Sequence, residues 1–276
     1  IYGIKYVSTG NVTITNSAFL RNGVSSTSEY SGLQINSSGS ILLNGVTAYG
    51  NAGNGGSFLV DGNLLLIRNS VFSGTIDTWD LAGWGFGVYT HAPANSLAAI
   101  TFDNVILNGN EADGAYLQTG GNITLNRVYA ANNGQHGVYI SGDYNVDSVG
   151  ATNVTVANST FTSNSDTNLE IHASGAVKVT NLYSTKSVSG RGLYVNNHTY
   201  NSIPVPVTIL GAFLIGNAQD GAFIGSDGTI TVAGITALEN GWDGMYLDNW
   251  WSLGSTGNII VSSSLGLNRF NGNTGG

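Results

Sequence analysis

The stretch "NITLNRVYAANNGQHGVYI", residues 122–140, alternates apolar and polar positions, breaks into Asn and Gly, and then alternates again. It is too polar for a fully buried strand, and its alternation has a period of two rather than the helical 3.6. The same pattern returns along the whole chain. With Leu125 as anchor, the equivalent positions are Ile14, Leu43, Ile67, Phe102, Val156, Val179, Ile209, Val232 and Val261, ten in all. Most copies have a second apolar residue two positions earlier, such as Ile100, Ile123, Val154 or Val207. Eight positions after the anchor comes asparagine in seven of the ten: Asn22, Asn51, Asn110, Asn133, Asn164, Asn217 and Asn240. Twelve after it comes Gly55, Gly114, Gly137, Gly221 or Gly244, followed by an apolar–x–apolar triplet such as "VYI" or "MYL". Several columns agreeing at a minimum period of 23 residues mark a true repeat.

Each copy predicts about three strands of three or four residues, far too short to bury a face alone. Stacked copies solve this: each strand bonds to its equivalent about 4.8 Å above and below, and the alternating apolar residues form one aliphatic core. The Asn column then predicts a ladder of buried amides bonded along the axis, and the Gly column predicts unusual backbone angles at a corner. The expected fold is all-β, a right-handed parallel β-solenoid of about ten coils and roughly 45–50 Å in length. A propeller fits less well, since its blades run to ~40–50 residues.

Anchor spacings run 29, 24, 35, 23, 31, 23, 30, 23 and 29, so long and short coils alternate. The extra residues fall in two corners. Coils 1 and 3 insert "VSSTSEYS" and "TIDTWDLAGWG" between the Asn and Gly columns. "HAPANSL", "GDYNVDSVGAT", "NHTYNSIP" and "NWWSLGSTG" follow the last strand of alternate coils. At the N-terminus "GIKYV" matches the last third of a coil, and "LNRFNGNTGG" stops just past the Asn corner. The reading is one β-helix segment over 1–276, excerpted from a longer solenoid, with adjoining segments or other copies of itself as partners.

Composition narrows the function. Charged residues are 9% of the chain, against roughly 25% in an ordinary soluble domain. Lys plus Arg is 8 and Asp plus Glu is 16, for a net charge of −8, the wrong sign for a nucleic-acid surface. There is no cysteine, hence no disulfide framework and no thiolate metal site. The most apolar stretch, "IPVPVTILGAFLIG", is short of the ~18 residues of a membrane helix and is broken by Pro204 and Pro206, so no membrane insertion is expected.

The outward positions of the third strand are the least expected feature. In order they read Lys5, Gln34, Leu59, Tyr89, Tyr116, Tyr139, Glu170, Tyr194, Phe223 and Tyr246. Trp79, Trp84, Trp242, Trp250, Trp251, Tyr144, His198 and Tyr200 lie on the flanking corners. Loops folded over the tyrosines would make this a satellite apolar cluster. Left open, the column of ring faces or edges is a contact surface for a polysaccharide or a neighbouring chain.

The repeated "N-x-x-x-G-[apolar]-x-[apolar]" unit, as in "NNGQHGVYI" and "NGWDGMYL", resembles the right-handed parallel β-helix superfamily of pectin and pectate lyases, polygalacturonases and related surface proteins. The resemblance covers the whole chain and implies the fold, but these folds host several activities. Polygalacturonase-like members are expected to show "NTD", "DD", "GHG" and "RIK", and mannuronan-epimerase-like members "DPHE"; none of these occurs. Nor does the spacing show the acidic calcium cluster with a basic neighbour that lyases need.

One constellation remains as candidate chemistry. Asp113 and His136 share a column one coil apart, Arg191 falls near that column two coils on, and Glu111, Asp166, Glu170 and His172 are close by. Carboxylates, imidazole and guanidinium among tyrosines can do acid–base chemistry on a glycan. The plain alternative is turn chemistry, because Asp before Gly recurs at Asp220 and Asp243. A partial threonine column (Thr101, Thr124, Thr155, Thr208, Thr231) falls short of an ice-binding pair of columns, and the "NVT", "NIT" and "NST" sequons follow from the repeat. No cofactor and no dedicated metal site are expected, beyond weak calcium binding at Asp143 and Asp147 in "DYNVD". The leading expectation is an extracellular or cell-surface, bacterial, adhesin-like or filament-forming module that uses Tyr89, Tyr116, Tyr139, Tyr194, Phe223, Tyr246, Trp250 and Trp251 as its contact face. The alternative is a polysaccharide lyase, glycoside hydrolase or epimerase using Asp113, His136, Glu170 and Arg191.

Overall fold

A computed structural model describes residues 3–23, 31–76, 85–91, 96–142, 152–197, 204–249 and 257–275. Among these residues the structure is all β, and every strand pairing is parallel. A ten-stranded sheet takes one short strand per coil, such as Ala115–Gln118 and Val138–Ser141. A thirteen-stranded sheet takes the remainder, such as Ala99–Asn108 and Ile123–Ala131. The anchor residues are in register from one end to the other: Ile14 opposite Leu43, Leu43 opposite Ile67, Ile67 opposite Phe102, and so on to Val232 opposite Val261. Between the sheets lies one aliphatic core in which Ile123, Leu125, Val138 and Ile140 and their equivalents in the inner coils are fully buried.

Two details differ from expectation. In the seven coils from Leu64–Ser73 to Ile230–Leu238 the first and second segments are not separate short strands. They run on as one strand of nine or ten residues, as in Ile123–Ala131, bent at a residue of positive φ. That residue is Asn69, Asn104, Arg127, Asn158, Asn181, Gly211 or Gly234, types that accept the left-handed region at low cost, with Arg127 the exception. The bend places two successive residues outward, so Leu125 before it and Val128 after it both face the core. Arg127 is held there by a two-pronged pair with Asp103 at 2.7 and 2.9 Å.

The Gly column also has a different cause. Gly114, Gly137 and Gly221 do not have positive φ. They are glycines because a Cβ at Gly137 would meet the Asn168 carbonyl and lie 2.7 Å from the Asn164 amide nitrogen. The column is a seat for the ladder beside it.

That ladder forms as the Asn column predicts. Asn110 Nδ2 donates to Asn133 Oδ1 at 2.9 Å, Asn133 to Asn164 at 2.8 Å, and Asn217 to Asn240 at 3.0 Å. Each Oδ1 also accepts the backbone N–H of the preceding Asn, and each Nδ2 also donates to a main-chain carbonyl, such as Leu107 O from Asn133. These buried amides are thereby well satisfied. Where Ser187 replaces Asn, Asn168 bridges the gap, accepting from Asn164 at 2.8 Å and donating to Asn217 at 3.2 Å. Asn273, twelve rather than eight residues after its anchor, closes the series under Asn240 at 2.9 Å.

Candidate functional site

The outward column of the ten-stranded sheet follows from the same register. Tyr89 lies opposite Tyr116, Tyr116 opposite Tyr139, Tyr139 opposite Glu170, Glu170 opposite Tyr194, Tyr194 opposite Phe223, and Phe223 opposite Tyr246. Toward the N-terminus the column continues through Ser57 and Gln34 to Lys5. Leu59, placed in this column from sequence, is therefore not its member; it pairs with Asn36 and His91 two positions along. The neighbours of each tyrosine, such as Ala115 and Leu117, face inward, so the rings stand on the outer face, half-buried by one another.

Strand spacing dictates how the rings meet. Side chains set about 4.8 Å apart along the axis leave flat rings no room except against each other. Tyr116 and Tyr139 have centroids 5.3 Å apart and planes 8° from parallel; Phe223 and Tyr246 are at 5.0 Å and 9°. Tyr89–Tyr116 and Tyr194–Phe223 stack at 5.4 and 5.3 Å. Phe86, which sequence reasoning missed, extends the series onto Tyr89 at 5.3 Å. Glu170 should break the column, but His172, two residues on, supplies the ring: it lies 5.3 Å from Tyr139 and 5.6 Å from Tyr194. The aromatic series is thus continuous from Phe86 to Tyr246. Ring faces in it are spent on ring neighbours, and what faces outward is the rims.

At the break sits the charged constellation. His136 Nδ1 lies 2.9 Å from Asp113 Oδ1, and His136 Nε2 lies 3.3 Å from Glu170 Oε2 and 3.8 Å from Asp166 Oδ2. His172 Nε2 lies 2.8 Å from the other oxygen of Glu170. Three of the four candidate residues, Asp113, His136 and Glu170, are therefore in direct contact. Arg191 belongs to a second group. Its Nε donates to Asp220 Oδ2 at 2.9 Å, and its guanidinium lies over the rings of Tyr194, Phe223 and Trp242 at 5.4, 5.2 and 5.7 Å. Asp113 and Asp220 do the same backbone work: each accepts the N–H of the equivalent residue one coil on, His136 at 2.8 Å and Asp243 at 3.1 Å.

The electrostatics follow from this packing. Burial by itself would lower the His136 pKa, but hydrogen bonds to Asp113 and Glu170, with their charges, win and raise it to about 10. Burial would raise Glu170, but hydrogen bonds from His136 and His172, with their charges, bring it down to about 2. Near neutral pH His136 is an imidazolium whose two N–H groups both donate to carboxylates. Burial also raises the Tyr194 pKa, with the Glu170 charge adding to it and Arg191 opposing.

Trp250 and Trp251 of the expected contact face lie outside the described residues, as do Trp79, Trp84, Tyr144, His198, Tyr200 and the acidic pair Asp143 and Asp147. Among the described residues no group of three or more His, Asp or Glu side chains is arranged to hold a metal ion.

Stacked parallel coils around one aliphatic core, with an internal amide ladder, define a parallel β-helix protein. The chain belongs to the family described as "Right handed beta helix region", whose pattern matches residues 1–146 and 87–275. No curated protein gives a sequence match. Among solved structures, the chain is similar to "the periplasmic alginate epimerase AlgG", with a TM-score of 0.42 and 12% identity, covering 94% of this chain and 78% of that one. At that level of similarity the epimerase activity is a statement about that protein alone.

Proposed function

We propose that this chain is a non-catalytic, extracellular or cell-surface β-helix module whose aromatic column contacts a polysaccharide along the solenoid axis. The observation behind this reading is the continuous stack from Phe86 to Tyr246. Its outward rims present tyrosine edges in a straight file, repeating about every 4.8 Å, a spacing comparable to one sugar unit of an extended glycan. Recognition would use hydroxyl hydrogen bonds and ring edges, because stacked neighbours occupy the ring faces that sugars usually cover. An adhesin-like role in a larger surface assembly fits this mode of contact.

The charged centre favours a structural role over catalysis. A general acid or base works best with a pKa near the operating pH. His136 at about 10 and Glu170 at about 2 are each locked in one protonation state. The alternative of a polysaccharide lyase, hydrolase or epimerase draws on the unbroken hydrogen-bonded contact of Asp113, His136, Glu170 and His172. A glycan array run beside reducing-sugar and unsaturated-product assays separates the two. Binding without turnover, lost in the double variant Tyr116→Ala, Tyr139→Ala, supports the contact face. Turnover abolished by Glu170→Gln or His136→Ala would replace it with the enzyme.

A further inference from the structure

The thirteen-stranded sheet has its own outward column, four residues after the anchors. In register it runs Val71, Ile106, Tyr129, Thr160, Tyr183, Phe213 and Thr236. It holds no charge. Ile106, Tyr129, Tyr183 and Phe213 are 40–45% exposed, on consecutive coils but for Thr160. On the aromatic column rings cover rings in one series; here Tyr183 and Phe213 meet at 5.4 Å, and Thr160 leaves a notch between Tyr129 and Tyr183. A notch spanning two strand spacings is about 9–10 Å wide, enough for one ring.

A contiguous exposed apolar strip is often an interaction site. Seven coils cover about 29 Å of axis, and three outward columns about 20 Å of width, or roughly 600 Å². Two such faces together hide about 1,200 Å², the lower bound of specific interfaces. The strip also contains both halves of a self-complementary contact. With the two copies antiparallel and the two-fold axis between the Thr160 and Tyr183 coils, Tyr183 faces Thr160, Tyr129 faces Phe213, and Ile106 faces Thr236. Each pair then occurs twice, as an isologous interface requires. The flanking bend column adds Asn104, Asn158 and Asn181, and its cation Arg127 is already neutralised by Asp103.

We propose that this strip is the interface through which two copies of the chain pair antiparallel, Tyr183 of each entering the notch over Thr160 of the other. The contact is separate from the glycan face and leaves it open on the dimer. Sedimentation of the purified chain over a micromolar concentration series tests it. The expected result is a monomer–dimer equilibrium whose dissociation constant rises about tenfold or more in the double variant Tyr183→Lys, Phe213→Lys, as for loss of interface anchors. These side chains are exposed, so the variant should keep its circular dichroism and melting temperature. Because the chain has no cysteine, Thr160→Cys gives a second readout that leaves the anchors intact. A short bis-maleimide should link two copies through Cys at that site, and should not do so through Thr231→Cys on the other outward column. A wild-type chain that stays monomeric, a dimer that survives the lysines, or equal cross-linking at both sites would overturn the proposal. So would a monomer that binds oligosaccharide through Tyr183, which would give the strip to a glycan.

Discussion

The buried asparagine ladder and the outer aromatic column are built on the same register, yet they stabilise the solenoid in different ways. From Asn110 to Asn273 each rung of the ladder is tied to the next by directional bonds, most of them enclosed where water cannot replace them. In the column each ring gains only contact with its neighbours, and its outer rim stays wet. One column is a spine and the other a surface. The difference shows where the pattern is interrupted. The ladder repairs its gap at Ser187 with another amide, Asn168, and its gap at Thr75 with a neutral hydroxyl that donates to Asn110 Oδ1 at 3.1 Å. The column repairs its gap at Glu170 with a different chemistry, the His172 ring and a knot of charges.

The sharpest way to break that comparison is Asn133→Ala. It removes an acceptor for two N–H groups of Asn110 and a donor to Asn164 and Leu107, all in the core. Several buried groups lose partners at ~1–3 kcal/mol each, so the loss should reach about 4 kcal/mol in denaturant unfolding. The same truncation at Asn22, part-buried near the described N-terminal end, should cost clearly less. Equal losses would mean that the ladder is not a cooperative spine.

Next in size is His136→Ala, which leaves Asp113 and Glu170 facing each other without the cation. Unpaired buried charge is costly, and about 3 kcal/mol is expected. The pH dependence gives a separate signature. His136 is raised from 6.5, so its stabilisation is complete below about 6.5 and is lost as pH rises through about 10. Glu170 is lowered from 4.5, so its share is complete above about 4.5 and is lost as pH falls through about 2. Unfolding midpoints of the wild type should therefore decline from pH 6.5 toward 10, and that decline should flatten in the variant. An unchanged alkaline slope would place the cause elsewhere.

These contrasts also mark how far the sequence could be read. Register was legible because the anchors, the Asn column and the apolar triplet repeat together, and the sharing of one column by Asp113 and His136 followed from it. The bend was not, because a left-handed Asn104 or Asn158 inside a strand looks like the end of one. Gly137 suggested an unusual angle, when what excludes a side chain there is the neighbouring coil, whose position no single coil reveals. Leu59 was placed in the aromatic column by its own alternation, although Ser57 occupies that register. His172 as a replacement ring and the strip through Ile106, Tyr129, Tyr183 and Phe213 needed three-dimensional neighbours. The strip's period-two signal was present four residues after each anchor.

The smallest expected effect separates rim from ring. Tyr116→Phe keeps the aromatic body between Tyr89 and Tyr139 and removes one hydroxyl from the outer edge. Stability should change by less than about 0.5 kcal/mol, the usual range for an outer-face change that spares packing. Tyr116→Ala, which opens the stack, should cost more, about 2 kcal/mol, because its contacts with the rings of Phe86, Tyr89 and Tyr139 and their buried area are lost. If the column recognises a glycan by its rims, Tyr116→Phe nevertheless weakens binding measurably by calorimetry, nearly as much as Tyr116→Ala does. Binding that tracks stability, falling only when the ring is removed, would mean that ring faces make the contact after all, and that the stack opens to admit its ligand.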